Sequence, residues 1–339
     1  MEKVFRHDYK VNKNFVTIVK ISASFGISCK FRRNSLTIAL LPQKLINFNS
    51  LQKRFTQTVQ IRTADCTIMR HFFSESPNSL REVPAFPPNR AMLFGDGIFE
   101  TMVYIDGKIR FEQLHQERLL KGMRALMIQS EELPEVKTIA RLVANQVRKT
   151  GTFRLRWTVF RAGLGKYTPT DSGYCELLTV APFHPATSVK KTAYISDSIR
   201  VPYNSWANCK TLNALPYVMA NLERQKKQQE EVILLDQNGY LSEAGSANLF
   251  WQKEGIFYTP SLRHACVAGV ARRQILIKLQ EMNLTLIEGS FRPDDLLQAE
   301  QVFVSNVSGI SYLEQIQGIS FATQPVPGLA ALFGWSTNS

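Results

Sequence analysis

"EVILLDQNGYLSEAGSANLFW", residues 231–251, is the stretch from which the fold is read. Four consecutive aliphatic residues, Val232 to Leu235, make a run of the length of a buried strand. Asn238-Gly239 follows, a pair that favours a hairpin turn. The chain then returns through small residues to a strongly apolar strand ending at Trp251. Within the return lies Glu243. Taken alone it reads as a turn or capping residue; as a partly buried carboxylate it is able to pair with a protonated heterocyclic nitrogen and keep it cationic.

Upstream, "NCKTLNALPYVMA" (208–220) sets Lys210 after a loop, Pro202 to Asn208, and before apolar positions at helical spacing: Leu212, Leu215, Val218, Met219 and Leu222. A lysine at a helix N-terminus has the wrong sign for the helix dipole. Desolvated there, its ammonium form is disfavoured, and the amine is able to act as a nucleophile near neutral pH. Further upstream, "GIFETMVYIDGKIRF" (97–111) predicts a β-hairpin about Asp106-Gly107. A helix follows, with Phe111, Leu114, Leu119, Met123 and Leu126 on its apolar side, and a second helix is expected over 134–149. Strands are expected at 153–163 and 176–183, with a domain break near "HPATSV" (184–189). Downstream come strand-like "GIFYTP", a helix starting just after Gly269, and final strands in "LTLIEGSF" and "QVFVSNVSGI". Strands and helices mix without regular βαβ alternation, so the fold class is α+β.

The 339 residues have an ordinary globular composition, 44% hydrophobic and 20% charged, and a length that suggests two domains. The formal charge of +13 is uneven: residues 1–68 carry +9 and the remaining four-fifths only +4. A basic footprint across a folded face is therefore not supported, and nucleic acid is not expected as a partner of the main body. The basic, acid-poor first 68 residues leave three readings open: a transit-like leader, a nucleic-acid-binding arm, or an extension upstream of a natural start at Met69, the last preferred. Five cysteines show no CxxC pair and no metal spacing with histidine, which points to reduced thiols in a cytoplasmic setting and to no metal site. No apolar run is long enough for a membrane span. The expected organisation is 1–68 extension, 69–186 a small α/β domain, 190–322 a larger domain, and 323–339 a short tail.

Signatures of dinucleotide folds, P-loops, zinc proteases and serine hydrolases are absent. What remains is a set that makes sense together. Arg118 lies at the edge of the apolar side of its helix, where a guanidinium either snorkels to the surface or forks onto a phosphate. "AGVARRQ" (268–274) starts a helix on a glycine, and exposed N–H groups at such a start bind anions. "VSNVSG" (304–309) ends a strand with small donors, among them Ser305 and Asn306. One amine, one carboxylate and a phosphate cup are the requirements of a pyridoxal phosphate (PLP) site.

These residues resemble the class IV, or fold type IV, PLP enzymes: branched-chain and D-amino-acid aminotransferases and 4-amino-4-deoxychorismate lyases. The matching segments are "FGDGIFET" (94–101), "HQERL" (115–119), "KTLNALPYVMA" (210–220), "SEAGSANLFW" (242–251), "YTP" (258–260), "GVARRQ" (269–274) and "VFVSNVSGI" (302–310), in family order over 69–317. The resemblance implies Lys210 as the Schiff-base lysine, Glu243 as the carboxylate at the pyridine nitrogen, and Arg118 as the phosphate-binding arginine. Val270 and Ala271 fall where main-chain N–H groups meet the phosphate, many relatives having threonine at the second position. Ser305 and Asn306 fall at the strand end lining phosphate and substrate. It implies a small and a larger α/β domain with the cofactor between them, as a homodimer acting on a small molecule. "SANLFWQKEGIFYTP" and "SNVSGIS" look closer to the lyases, which release pyruvate from aminodeoxychorismate to give 4-aminobenzoate for folate synthesis; "FET" (99–101) is shared with aminotransferases of amino acids. "FRAGLGKYTP" (160–169) is similar to a substrate loop of lyase-like members and nominates Lys166 and Tyr167 as carboxylate contacts. The C-terminal "ATQPVPGLAALFGWSTNS" departs from the family ending and is expected to change terminal packing.

Overall fold

The computed structural model describes residues 26–32, 35–41, 70–74, 81–82 and 89–334. The chain divides into two compact units, Met1–Ala64 and Asp65–Ser339. In the first, β1 (Gly26–Arg32) and β2 (Ser35–Leu41) form an antiparallel hairpin. The rest of the basic segment, and with it the leader, arm and extension readings, lies outside the described residues.

The second unit begins with an antiparallel sheet. Its strands are β3 (Arg70–Ser74), β4 (Arg81–Glu82), β5 (Gly97–Ile105), β6 (Lys108–Ile109), β7 (Thr152–Arg161) and β8 (Tyr174–Pro182), in the order β4-β3-β8-β7-β5-β6. Asp106 and Gly107 both have positive φ, the turn geometry their pair predicts between β5 and β6. Period-two alternation decides what each face does. Ile98, Met102 and Tyr104 of β5 and Phe153, Leu155, Trp157 and Val159 of β7 meet the helices α2 (Glu112–Ala125) and α3 (Val136–Gln146), which follow the short α1 (Arg90–Phe94). Helix α2 turns His115, Leu119, Gly122 and Met123 inward, so the buried line runs through a histidine that hydrophobic spacing alone passes over. The second helix is shorter than expected, Val136–Gln146.

The remaining chain builds two further sheets. One has the order β12-β11-β10-β18-β19, from β10 (Ala193–Val201), β11 (Glu231–Asp236), β12 (Leu241–Ala244), β18 (Gln315–Ile316) and β19 (Ile319–Ser320). The other has the order β15-β14-β13-β16-β17-β9, from β9 (Val189–Lys190), β13 (Asn248–Lys253), β14 (Ile256–Pro260), β15 (Leu286–Gly289), β16 (Gln301–Asn306) and β17 (Gly309–Leu313). Ile195, Ile233 and Leu235 of the first pack on Leu249, Trp251 and Val304 of the second, so the run Val232 to Leu235 is buried as its continuous apolar character predicts. Helix α4 (Leu215–Lys226) covers one outer face through Ala220 and Tyr217; helix α5 (Val270–Glu281) covers the other through Ile275 and Leu279, joined there by Val326 and Leu329 of the C-terminal segment. That segment reaches Phe333, whose carbonyl accepts from Arg110 at 2.6 Å. No helix among the described residues is long and apolar enough to cross a membrane.

Helix α4 corrects one expectation. Its apolar positions Leu215, Val218, Met219 and Leu222 are exposed, between 45% and 68%, and do not enter the core. Pro216 in the first turn marks where the helix begins, so Lys210 lies in the preceding loop and not at the helix end.

That loop is spliced to β5. Phe99 N–H donates to the Lys210 carbonyl, and Leu212 N–H donates to the Gly97 carbonyl, each at 2.9 Å. Gly97 has no room for a side chain: a Cβ there would lie 2.6 Å from Phe160 Cβ and 2.7 Å from the Val159 carbonyl oxygen. Gly97→Ala is therefore expected to lower the urea-unfolding free energy by about 1–3 kcal/mol through overpacking, and to loosen the Lys210 loop. Equal urea midpoints for variant and parent would contradict the tight packing described.

Candidate active site

Alternation along β5 and β7 places Phe99, Thr101, Arg154 and Arg156 on the face opposite the helices, where they line a cavity of about 420 Å³. Its other walls come from the Lys210 loop, Tyr217, Glu243, the stretch Gly245–Asn248, the start of α5 and the end of β16. The structure thus brings Lys210, Arg118, Glu243, Val270, Ala271, Ser305 and Asn306 to one space, although they span almost 190 positions of sequence. Lys166 and Tyr167 are not among the lining residues. Their loop is drawn aside by Arg90, which donates to the carbonyls of Leu164, Gly165 and Lys166, and Tyr167 is 90% exposed beside Phe94.

Lys210 is held from both sides. Its carbonyl is fixed to β5, and two residues earlier Asn208 donates to the carbonyls of Leu262 and Cys266 at 2.7 Å each while its own carbonyl accepts from Ala268 N–H. The amine lies 4.7 Å from the Phe99 ring centroid, and among the described residues it has no hydrogen-bond acceptor and no ion-pair partner. Burial, then the Arg118 charge, bring its pKa down to about 8, against the opposing pull of Glu100 and Glu243. The depressed amine read from the sequence is present, and desolvation is its first cause, as expected, with the lysine placed in the loop before the helix.

Glu243 enters from β12 opposite Leu234 and is 3% exposed. Burial raises its pKa, opposed by hydrogen bonds from the Tyr217 hydroxyl and the Val267 amide. Glu100, equally buried, goes the other way. It lies on the helix side of β5 and accepts from Arg118 through both of its oxygens, with Nε at 2.7 Å, and from His115 Nδ1–H at 2.6 Å. Burial pushes the carboxyl up, but Arg118 and His115 more than offset it and hold it at about 2. Arg118 therefore reaches the cavity with its fork already committed. Nη1, in a long contact of 3.4 Å with the Ala268 carbonyl, is the nitrogen least committed to a partner.

At the far wall, Gly269 precedes α5, whose first-turn N–H groups at Val270 and Ala271 have no intrahelical acceptor. Asn248 seats this start by donating to the Val267 carbonyl at 2.8 Å, so close that a Cβ on Gly269 would fall 1.9 Å from its side-chain oxygen. Ser305 Oγ lines the same wall, buried and, among the described residues, without a hydrogen-bond partner. An orphaned hydroxyl, free helix amides, an arginine Nη1 and an unpaired amine are what a phosphorylated aldehyde requires, so the residues fit pyridoxal phosphate. Other residues at or beside the cavity, Arg154, Arg156, Tyr217, Glu100 and His115, are not nominated by the sequence. Period two in "FRLRW" does set Arg154 and Arg156 on one face, but nothing local assigns that face to a cavity; Glu100, His115 and Tyr217 acquire partners only across elements.

The sequence profile of the amino-transferase class IV family matches residues 97–312. The chain belongs to the class IV aminotransferase family. It is a PLP-dependent enzyme of fold type IV. Aminodeoxychorismate lyase of Bacillus subtilis is 27% identical over 256 residues, 73% of this chain and 86% of the lyase. Branched-chain-amino-acid aminotransferase of Salmonella typhimurium is 25% identical over 247 residues, 68% of this chain and 79% of that protein. Among solved structures, branched-chain aminotransferase from Thermoproteus uzoniensis superposes with a TM-score of 0.69 at 19% identity, covering 78% of this chain and 93% of that one. The 4-amino-4-deoxychorismate lyase of Pseudomonas aeruginosa gives 0.64 at 22% identity, covering 75% and 94%.

The cavity electrostatics of this class IV enzyme make a measurable demand. In cofactor-stripped protein, trapping of Lys210 by pyridoxal phosphate and hydride reduction, followed by mass spectrometry, is expected to reach half its maximal rate near pH 8. Glu100→Gln removes an anion that favours the ammonium form, so the midpoint moves lower. A midpoint no different from that of surface lysines would show that burial does not control this amine.

Proposed function

We propose that the enzyme is a 4-amino-4-deoxychorismate lyase, converting its substrate to 4-aminobenzoate and pyruvate in cytoplasmic folate synthesis. The observation that carries this reading is the pair Arg154 and Arg156 in the cavity wall: neither has a carboxylate partner among the described residues, and the Arg156 guanidinium lies 3.6 Å from the Phe99 ring centroid. Burial, and then repulsion from Arg154, lower the Arg156 pKa, so the pair gains from an anionic guest. Aminodeoxychorismate brings two carboxylates. The lyase-like segments 246–260 and 305–311, and the identity to the Bacillus subtilis lyase, support the same choice.

In this reading Arg118 Nη1, the Val270 and Ala271 amides, Ser305 and Asn306 hold the cofactor phosphate, and Glu243 stands at the pyridine nitrogen. Pyridoxal phosphate, when bound, supplies the sink for the electron pair released at the amino-bearing carbon. Lys210, the one lysine among the residues lining the cavity, holds the cofactor and takes the proton from that carbon. The ring carbon–oxygen bond then breaks, and the three-carbon fragment leaves as pyruvate after gaining a proton at its methylene carbon. Segments 69–186 and 190–322 act as the two domains around the site. The exposed stripe Leu215, Val218, Met219 and Leu222, with Tyr203 and Trp206 beside it in sequence, supports a homodimer in which a second copy covers it.

An aminotransferase is the second reading, favoured by the higher TM-score of the branched-chain enzyme; there the arginines receive a dicarboxylic amino acid or oxo acid. The loaded enzyme separates the two. Under the lyase reading, aminodeoxychorismate yields 4-aminobenzoate and pyruvate in equal amounts, glutamate alone leaves the visible cofactor band unchanged, and Arg156→Ala raises KM about tenfold or more. Bleaching by glutamate, with no 4-aminobenzoate formed, would establish the aminotransferase instead.

A further inference from the structure

Glu243 is not alone in its recess. Its Oε1 accepts from the Tyr217 hydroxyl at 2.5 Å and from the Val267 amide at 3.0 Å. Its Oε2 has one long contact, 3.4 Å from Asn248 Nδ2, a group whose better hydrogen bond goes to the Val267 carbonyl at 2.8 Å. One oxygen is therefore saturated while the other keeps its accepting capacity. Tyr217 lies in the first turn of α4, its ring against the cluster of Tyr194, Val201, Ala220 and Val232 and its hydroxyl on the cavity side. Burial and the neighbouring Glu243 charge push the phenol pKa well up, so it remains a donor throughout the neutral range.

We propose that Tyr217 is a positioning residue for cofactor chemistry: its hydroxyl holds Glu243 ionised and occupies Oε1, leaving Oε2 to accept from the ring nitrogen. The inference rests on the assignment of Glu243 to that nitrogen. Its physical basis is a contest at one carboxyl. Burial drives Glu243 toward its neutral form, and a neutral acid does not stabilise a protonated ring. A hydrogen bond to the charged form opposes burial, and one from a neutral donor to a carboxylate shifts such an equilibrium by about tenfold or more. Asn248 does not substitute for it, because its contact with the carboxyl is to Oε2 and long, 3.4 Å, while its good hydrogen bond goes to the Val267 carbonyl.

The test compares two ligands on the full chain. Cofactor-stripped wild type, Tyr217→Phe and Glu243→Gln are titrated by tryptophan fluorescence with pyridoxal phosphate and with its analogue bearing C–H in place of the ring nitrogen. Wild type is expected to prefer pyridoxal phosphate. Tyr217→Phe is expected to lose about tenfold of that preference while its affinity for the carbon analogue stays within about twofold. Glu243→Gln should lose the preference almost entirely. Equal loss of affinity for both ligands in Tyr217→Phe would make the tyrosine a packing residue only and overturn the proposal, as would an undiminished preference. If wild type itself does not distinguish the ligands, the assignment of Glu243 fails and the proposal falls with it.

Discussion

Two backbone hydrogen bonds join the Lys210 loop to the strand that forms one wall of the cavity. Phe99 donates to Lys210 and Gly97 accepts from Leu212, so the loop bearing the buried amine is laced onto the first residues of a strand more than 100 positions earlier. Backbone groups at such a depth must find partners, which makes the splice a constraint on both segments and not an incidental contact. Because Phe99 and Thr101 point to the cavity from this strand, Ile98 and Glu100 necessarily point to the helices. The same alternation that builds the hydrophobic core therefore decides which residues of this strand face the cavity beside the lysine.

Charge in the cavity is governed by what each group loses to burial and what its neighbours return. Glu100 and Glu243 are both almost wholly buried, yet Glu100 is held near 2 by an arginine and a histidine, while Glu243, with neutral donors nearest it, is raised. Glu100 spends its charge on Arg118 and is a fixed anion; Glu243 stays responsive to whatever lies beside it. Lys210 stands between, lowered by burial and by Arg118, and this leaves an amine able to exchange protons near neutrality.

Much of the architecture was legible because it depends on neighbours in sequence. Asp106-Gly107 and Asn238-Gly239 announce their turns, Gly269 announces the start of α5, and the aliphatic run Val232 to Leu235 announces a strand buried on both faces. The ordered series of segments shared with class IV enzymes carried Lys210, Arg118, Glu243, Val270, Ala271, Ser305 and Asn306 to a common cavity wall. Other features resisted. Helix α4 has apolar spacing on a face that turns outward, since periodicity reports that a face is apolar and not what covers it. The loop holding Lys166 and Tyr167 is drawn elsewhere by Arg90, whose reach over more than 70 positions no local pattern carries.

By itself, the sequence determined most elements and their turns and nominated an amine, a carboxylate and a phosphate cup, because backbone preference, alternation and side-chain chemistry are local properties. Only the tertiary structure decided which of the charged groups are paired. That Arg118 is largely spoken for by Glu100, that Arg154 and Arg156 have no acidic partner among the described residues, and that Tyr217 rather than a lysine or arginine hydrogen-bonds Glu243 are consequences of which strand face meets which helix. The free energy of a buried charge depends on those meetings and on the water they exclude, and neither is written in any one stretch of the chain.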